Sequence, residues 1–152
     1  MSEKLKYNIL RSEDEANKCA KAVYQYLSLE EKTFHSEENL KKLFLNQNTI
    51  TLYAEVSGKV VGLINGIVLP SPTIRLLVVL DEEEAKMGLG GKLIDQFVDI
   101  IKERYPLTKN VTTMISNEQN DAIALYLSKG FTISGFIHEE NKGIVLLKKR
   151  IR

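Results

Sequence analysis

Residues 76–93 read LLVVLDEEEAKMGLGGKL. The apolar run 76–80 has the character of a strand, 81–84 form an acidic bend, and Gly88, Gly90 and Gly91 open an amphipathic helix. Glycine lacks a Cβ and tolerates positive φ, so consecutive backbone N–H groups can converge on one concavity. The helix that follows adds unpaired donors and the positive end of its dipole. A strand, glycine turn and helix in this order cradle an anion, which points to a nucleotide-like cofactor. Two common phosphate patterns do not fit. The dinucleotide fingerprint G-x-G-x-x-G fails because Leu93 stands where its third glycine belongs, and the P-loop pattern fails at Lys86 and again at Leu93.

Outward from this unit the chain alternates strands and helices without linker or repeat. Upstream, residues 5–11 read as a strand, and Ser12 with Glu15 forms a capping box before Ala16, Cys19, Ala20, Val23 and Leu27 at helical spacing. A second helix starts at Ser36, carries Leu40, Leu43 and Phe44, and stops at 46–48. Residues 49–56 and 60–70 form a hairpin about Ser57-Gly58-Lys59, and Pro70-Ser71-Pro72 leads into the strand 74–80. Downstream, Leu89, Leu93, Phe97, Ile100 and Ile101 recur at helical period up to Tyr105-Pro106. A strand at 111–116, a helix at 118–129 ended by Gly130, and strands at 131–137 and 143–149 complete the order. The pattern predicts one α+β (α/β mixed) domain over 1–152, ordered β-α-α-β-β-β-α-β-α-β-β: a mostly antiparallel mixed sheet of about seven strands with four helices.

Composition bounds the partners. The chain has 152 residues, 43% apolar and 27% charged, ordinary for one globular domain. Lys and Arg number 21 against 20 Asp and Glu, a net charge of +1, so no global field draws it to nucleic acid or a membrane. The basic end Lys148-Lys149-Arg150-Arg152 reads as a solvated strand end, with nucleic-acid binding the remote alternative. A lone cysteine, Cys19, forms no intrachain disulfide or Cys-based zinc site and reads as core; no metal site is expected. No apolar run reaches membrane-spanning length, and the start MSEKLK lacks a signal-peptide core, so a cytoplasmic protein is expected.

After the turn of form G-x-G-G comes Ala122-Ile123-Ala124-Leu125-Tyr126-Leu127-Ser128-Lys129-Gly130-Phe131. Together the two motifs, with the element order and the length, resemble the GCN5-related N-acetyltransferase (GNAT) superfamily. The family's R/Q-x-x-G-x-G/A turn holds acetyl-CoA, and its A-x-x-L-Y-x-x-x-G-F segment packs beside it. The resemblance implies that Val78, Val79 and Leu80 run along the pantetheine arm and acetyl group. The turn Ala85, Lys86, Met87, Gly88, Leu89, Gly90 and Gly91 then holds the pyrophosphate. The chain departs from the pattern at Ala85, where the family has Arg or Gln; Lys86 or Lys92 would have to supply any side-chain charge. The grip is therefore expected mainly from the N–H groups of 87–91, with bulk at Gly88 or Gly90 more damaging than any change at Ala85. The family's Asn before the later helix falls on Gln119, with Asn120 next to it; each amide is either a cofactor contact or a helix cap.

The implied function is acetyl transfer from acetyl-CoA to a primary amine by direct attack. Such chemistry needs a neutral nitrogen, a donor for the charge on the thioester oxygen and a proton for the departing thiolate. A backbone N–H near Val79 or Leu80 meets the second need if a bulge or splay leaves it unpaired. Tyr126 resembles the family's general acid, its alternative role being a core tyrosine. For the base, Glu55 is the candidate if strand alternation turns it with Tyr53 toward the cleft; otherwise it is an exposed strand charge. Asp81 and Glu82–Glu84 would attract a cationic acceptor or simply solvate a bend. His35 and His138 have no carboxylate at a diagnostic spacing.

The acceptor, a small-molecule amine or a peptide (N-terminus or lysine), would lie between Tyr24, Tyr26 and Phe34 and the loop 139–142. Glu30, Glu31, Glu37 and Glu38 either draw a cation or solvate helix surfaces. A non-catalytic acetyl-CoA sensor or scaffold of the same fold is the alternative function. The apolar sheet edge within 131–149 fits either a monomer or a homodimer.

Overall fold

A computed structural model describes residues 4–33, 35–140 and 142–152, with the backbone alone at Glu30 and Glu139. Among the described residues seven strands form one sheet: β1 (Leu5–Ile9), β2 (Thr49–Val56), β3 (Lys59–Ile67), β4 (Thr73–Val79), β5 (Asn110–Ser116), β6 (Thr132–Glu139) and β7 (Lys142–Arg150). Their spatial order is β1-β2-β3-β4-β5-β7-β6, and every neighbouring pair is antiparallel except β4 with β5. The mixed, mostly antiparallel sheet is thus as expected. The helices differ. The four anticipated ones are α1 (Glu13–Tyr26), α3 (Glu37–Leu45), α5 (Leu89–Arg104) and α6 (Asn120–Ser128), and two short ones join them, α2 (Leu29–Lys32) and α4 (Glu82–Lys86). The region 81–84, read as a bend, turns helical because Asp81 caps it, its Oδ1 accepting the N–H groups of Glu83 (2.8 Å) and Glu84 (3.4 Å).

The sheet carries two helical layers. On one face α1 and α3 bury Ala16, Cys19, Val23, Leu40 and Phe44 against Tyr53 and Leu63. The capping box is present: Ser12 Oγ accepts the Glu15 N–H (3.2 Å), and Glu15 Oε1 accepts the Arg11 N–H (3.1 Å). The other Glu15 oxygen accepts the Tyr53 hydroxyl at 2.6 Å, tying the cap to the sheet. Burial pushes the Cys19 thiol up to about 12, so this cysteine is an inert core residue at neutral pH. On the other face α5 lays Leu89, Leu93, Phe97 and Ile101 on the sheet. Arg152 reaches back to the end of α5, donating from Nη1 to the Thr108 carbonyl at 2.7 Å and from Nη2 to the Lys102 carbonyl at 2.5 Å. Among the described residues no helix is long and apolar enough to cross a membrane.

Candidate active site

The glycine turn joins the end of β4 to the start of α5. Gly88 occupies the cap position with φ of +82°, and a Cβ there would meet nothing within 4 Å. The requirement for glycine at this point is conformational: an L-residue in the left-handed region costs roughly 1–2 kcal/mol. Gly90 and Gly91 differ from Gly88. A Cβ on Gly90 would stand 3.1 Å from Leu125 Cδ2, where α6 packs closely on α5, whereas one on Gly91 would stand 2.5 Å from Lys129 Cε, the mobile end of a long side chain that can move aside. The donors of the turn are fewer than the sequence suggested. The N–H of Met87 is taken by the Glu83 carbonyl and that of Gly88 by the Ala85 carbonyl, each at 3.1 Å. Leu89, Gly90 and Gly91 are the first three residues of α5, and their N–H groups have no carbonyl to meet within the helix. The set of 87–91 narrows to 89–91. Ala85 and Lys86 are exposed, Lys86 lying 4.0 Å from Glu83, and Met87 is exposed as well.

Beside the turn the sheet opens. Strands β4 and β5 pair only at Thr73↔Thr112 and Ile74↔Thr113. At the branch the Thr113 hydroxyl donates to the Ile74 carbonyl (3.1 Å), and beyond it the strands part. On its other edge β4 carries a bulge. Asn65 faces Leu76 and Gly66 faces Ile74, so Arg75 is the extra residue. Although β4 is the middle strand of seven, residues 76–80 remain only half-buried, because β5 has left their flank.

Hydrogen-bond direction along β4 follows from one bond. The Leu80 N–H donates to the Val61 carbonyl at 2.8 Å, which orients Leu80 toward β3. Alternation in an antiparallel pair gives Val78 and Leu76 the same orientation, so the N–H groups of Leu77 and Val79 point to the side from which β5 has departed. The donor expected near Val79 or Leu80 is therefore that of Val79, since Leu80 is spent on β3. A Cβ on Gly90 would stand 3.7 Å from Val79 Cγ2, so the unpaired strand edge and the first turn of α5 are contiguous.

The splay holds a cleft of about 210 Å³ lined on β4 by Arg75, Leu76, Leu77 and Val78, on β5 by Thr113 and Met114, on α6 by Ala122 and Tyr126 and just before it by Gln119, with Glu31 of α2 at its rim. Tyr126 is 3% exposed and meets Phe131 edge-on, with centroids 5.1 Å apart. Burial raises its phenol pKa above the usual tyrosine value, with the Thr113 hydroxyl as the smaller, opposing influence. A group in this position keeps its proton throughout the neutral range and faces the cleft.

Other anticipated residues lie elsewhere. Glu55, two strands from the splay on β2, is not among the cleft-lining residues. Its Oε2 pairs with Lys18 Nζ at 2.7 Å, Oε1 accepts from Asn8 Nδ2 at 3.2 Å, and the Lys18 hydrogen bond holds its carboxyl below the usual glutamate range. Strand alternation does turn it with Tyr53 toward the α1 face, but α1 itself then covers it. Gln119 borders the cleft from the cap position of α6 without making a side-chain capping bond, whereas Asn120 begins the helix outside the cleft. Tyr24 lies under the Lys32 ammonium (4.8 Å), and Tyr26 lines a separate hollow with Lys18, Lys21 and Lys59. Phe34 and Asn141, expected near the acceptor, fall outside the described residues, as does the Glu139 side chain. His138 stacks on Phe136 at the exposed sheet edge. The sequence reading did not single out Leu77, Arg75 or Thr113, because the bulge and the branch that give them their positions arise from pairing between distant strands.

The arrangement sets an unpaired N–H edge beside a helix start rich in N–H donors, and a buried, protonated phenol in the cleft between. An extended ligand with an anionic part and a polarisable carbonyl fits that order of groups. The family model described as "Acetyltransferase (GNAT) family" matches residues 13–131. No curated protein sequence matches. Among solved structures, a GNAT-family protein from Desulfovibrio desulfuricans superposes with a TM-score of 0.80 at 12% identity, covering 98% of this chain and 100% of its own. The ribosomal-protein-S18-alanine N-acetyltransferase from Escherichia coli gives 0.75 at 17% identity, covering 97% and 94%. AAC(6')-Ib, in complex with ribostamycin and coenzyme A, gives 0.72 at 16% identity, covering 97% and 93%.

Proposed function

The chain belongs to the acetyltransferase (GNAT) family, and on that premise we propose that it is a cytoplasmic N-acetyltransferase moving the acetyl group of acetyl-CoA to a primary amine by direct attack. One observation supports this above the others: among the described residues no strand pairs with the N–H groups of Leu77 and Val79 along the splay, and that edge runs on into the first turn of α5. The donors of a central strand are ordinarily taken by the strand on each flank, and here the parting of β5 leaves one flank of β4 facing a cleft instead. When bound, acetyl-CoA would supply an activated acyl group with a thiolate as leaving group.

In this reading the N–H groups of Leu89, Gly90 and Gly91 hold the pyrophosphate, and residues 77–80 align the pantetheine arm. The Val79 N–H stabilises the charge that develops on the thioester oxygen. Tyr126, kept protonated by its burial, gives its proton to the departing sulfur. Gln119 borders the same cleft and contributes an amide to the cofactor or the acceptor, while Asn120 does not enter the chemistry. Glu55 is assigned to holding Lys18 and not to deprotonating the acceptor, because an ion-paired carboxylate of lowered pKa is a poor base and is remote from the cleft. The names of the similar structures include an alanine of ribosomal protein S18 and an aminoglycoside among acceptors, which supports an amine acceptor without selecting one. The test is thiol release from acetyl-CoA over a panel of amines and N-terminal peptides. Release that depends on an amine is the expected result; tight acetyl-CoA binding with no release for any acceptor would leave a cofactor sensor instead.

A further inference from the structure

The cleft carries one side chain of each charge, and neither is committed to a partner that would neutralise it. Arg75 is the extra residue of the β4 bulge, exposed, and among the described residues it makes no ion pair or side-chain hydrogen bond. Glu31 stands at the rim on α2, where its Oε1 accepts the Ser28 N–H at 3.1 Å and its second oxygen has no hydrogen-bond partner among the described residues. The two line one cleft yet do not pair with each other within 4 Å. Arg75 is also out of reach of the pyrophosphate. Five residue steps of strand at about 3.3 Å each lie between it and Leu80, with the glycine turn beyond, so Arg75 stands at the branch of the splay. A guanidinium in a cleft presents a planar fork of donors that matches a carboxylate.

We infer that the acceptor is an amine that also carries a carboxylate, an amino acid in the general sense, with Arg75 binding the carboxylate and Glu31 drawing the ammonium end. The inference rests on the acetyltransferase reading above and names its substrate class. The chemistry balances. The ammonium gives up one proton by way of Glu31, and the free amine attacks the acetyl carbon. The new C–N bond forms as the C–S bond breaks. The nitrogen then loses its second proton. The sulfur leaves as thiol with the proton from Tyr126, which is reprotonated, so that one proton in all passes to solvent.

The experiment compares kcat/KM, expressed per unprotonated amine, for alanine, alaninamide and spermidine at saturating acetyl-CoA, in the wild type and in Arg75→Gln. A charge-assisted hydrogen bond contributes about 1.5–3 kcal/mol, so the wild type should prefer alanine over alaninamide by roughly 10–100-fold. In Arg75→Gln that ratio should fall toward one, chiefly through KM, and Arg75→Lys should restore part of it. Equal use of acid and amide by the wild type, or a ratio unmoved in Arg75→Gln, overturns the inference. Because the wild-type comparison needs no variant, a poorly folded Arg75→Gln leaves the inference open to refutation. Transfer to spermidine alone refutes it while leaving the acetyltransferase reading intact. Transfer to none of the panel or of the wider set of amines and peptides, with acetyl-CoA bound in calorimetry, overturns both.

Discussion

Gly58 and Gly88 provide a matched pair for testing the glycine turn. Their φ angles are +79° and +82°, and a Cβ at either would meet nothing within 4 Å. Alanine at each position therefore carries the same penalty, about 1–2 kcal/mol for a left-handed L-residue, and no steric clash. For a chain of this size about 2–4 °C of Tm is lost per kcal/mol, so both variants should melt roughly 2–8 °C below the wild type. Their effects on cofactor binding should differ. Gly58 lies in the β2–β3 hairpin, whereas Gly88 sets the direction in which the N–H groups of Leu89, Gly90 and Gly91 enter α5. Misaligning one charge-assisted hydrogen bond costs about 1.5–3 kcal/mol, so Gly88→Ala should weaken acetyl-CoA binding by about 10–100-fold while Gly58→Ala leaves it unchanged. Differential scanning fluorimetry gives the first quantity and titration calorimetry the second. Equal Kd values for the two variants would show that the turn does not hold the cofactor and would refute the reasoning from backbone donors.

Three further outcomes are expected. Tyr126→Phe should lower kcat by about 100-fold or more with acetyl-CoA affinity retained; because burial raises the phenol pKa, the wild-type rate should show no alkaline loss from this group up to about pH 10, its unperturbed value. Glu55→Gln should leave kcat/KM within about 2-fold and cost less than about 1 kcal/mol, as for a partly exposed ion pair; a large fall in kcat with an altered acid limb would return Glu55 to the role of base. Glu15 has its carboxyl pKa lowered, chiefly by the Tyr53 hydroxyl. Its stabilisation is therefore present above the unfolded pKa of about 4.3 and is lost as pH falls through the lower folded value. Tyr53→Phe should flatten that acid limb when Tm is followed from pH 6 to 3.

Local signals were legible wherever the cause was local. The capping box at Ser12 and Glu15, the hairpin at Ser57-Gly58 and the stripe from Leu89 to Ile101 each follow from residues within a few positions of one another, and each formed as read. Asp81 was misread because acidic residues in a row suit a bend and a capped short helix equally well, and only the two N–H groups accepted by its side chain decide between them. The partner of Glu55 lay beyond the reach of local signals. Alternation gave its face of the sheet correctly, but the occupant of that face, Lys18, comes from a helix far away in sequence.

By itself the sequence determined the order of strands and helices, the glycine turn before α5 and the Leu125-Tyr126 to Gly130-Phe131 segment, because periodicity, capping and positive φ are properties of short stretches. Tertiary structure alone decided which donors remain free. The Leu80 N–H is spent on Val61 and those of Met87 and Gly88 on their own turn, while among the described residues Val79 and the first turn of α5 stay open. It also decided that Arg75 is the bulged residue and that Glu31 shares its cleft. A backbone donor is free or paired according to the strand that runs beside it, and the parting of β5 from β4 is a relation between strands more than thirty residues apart.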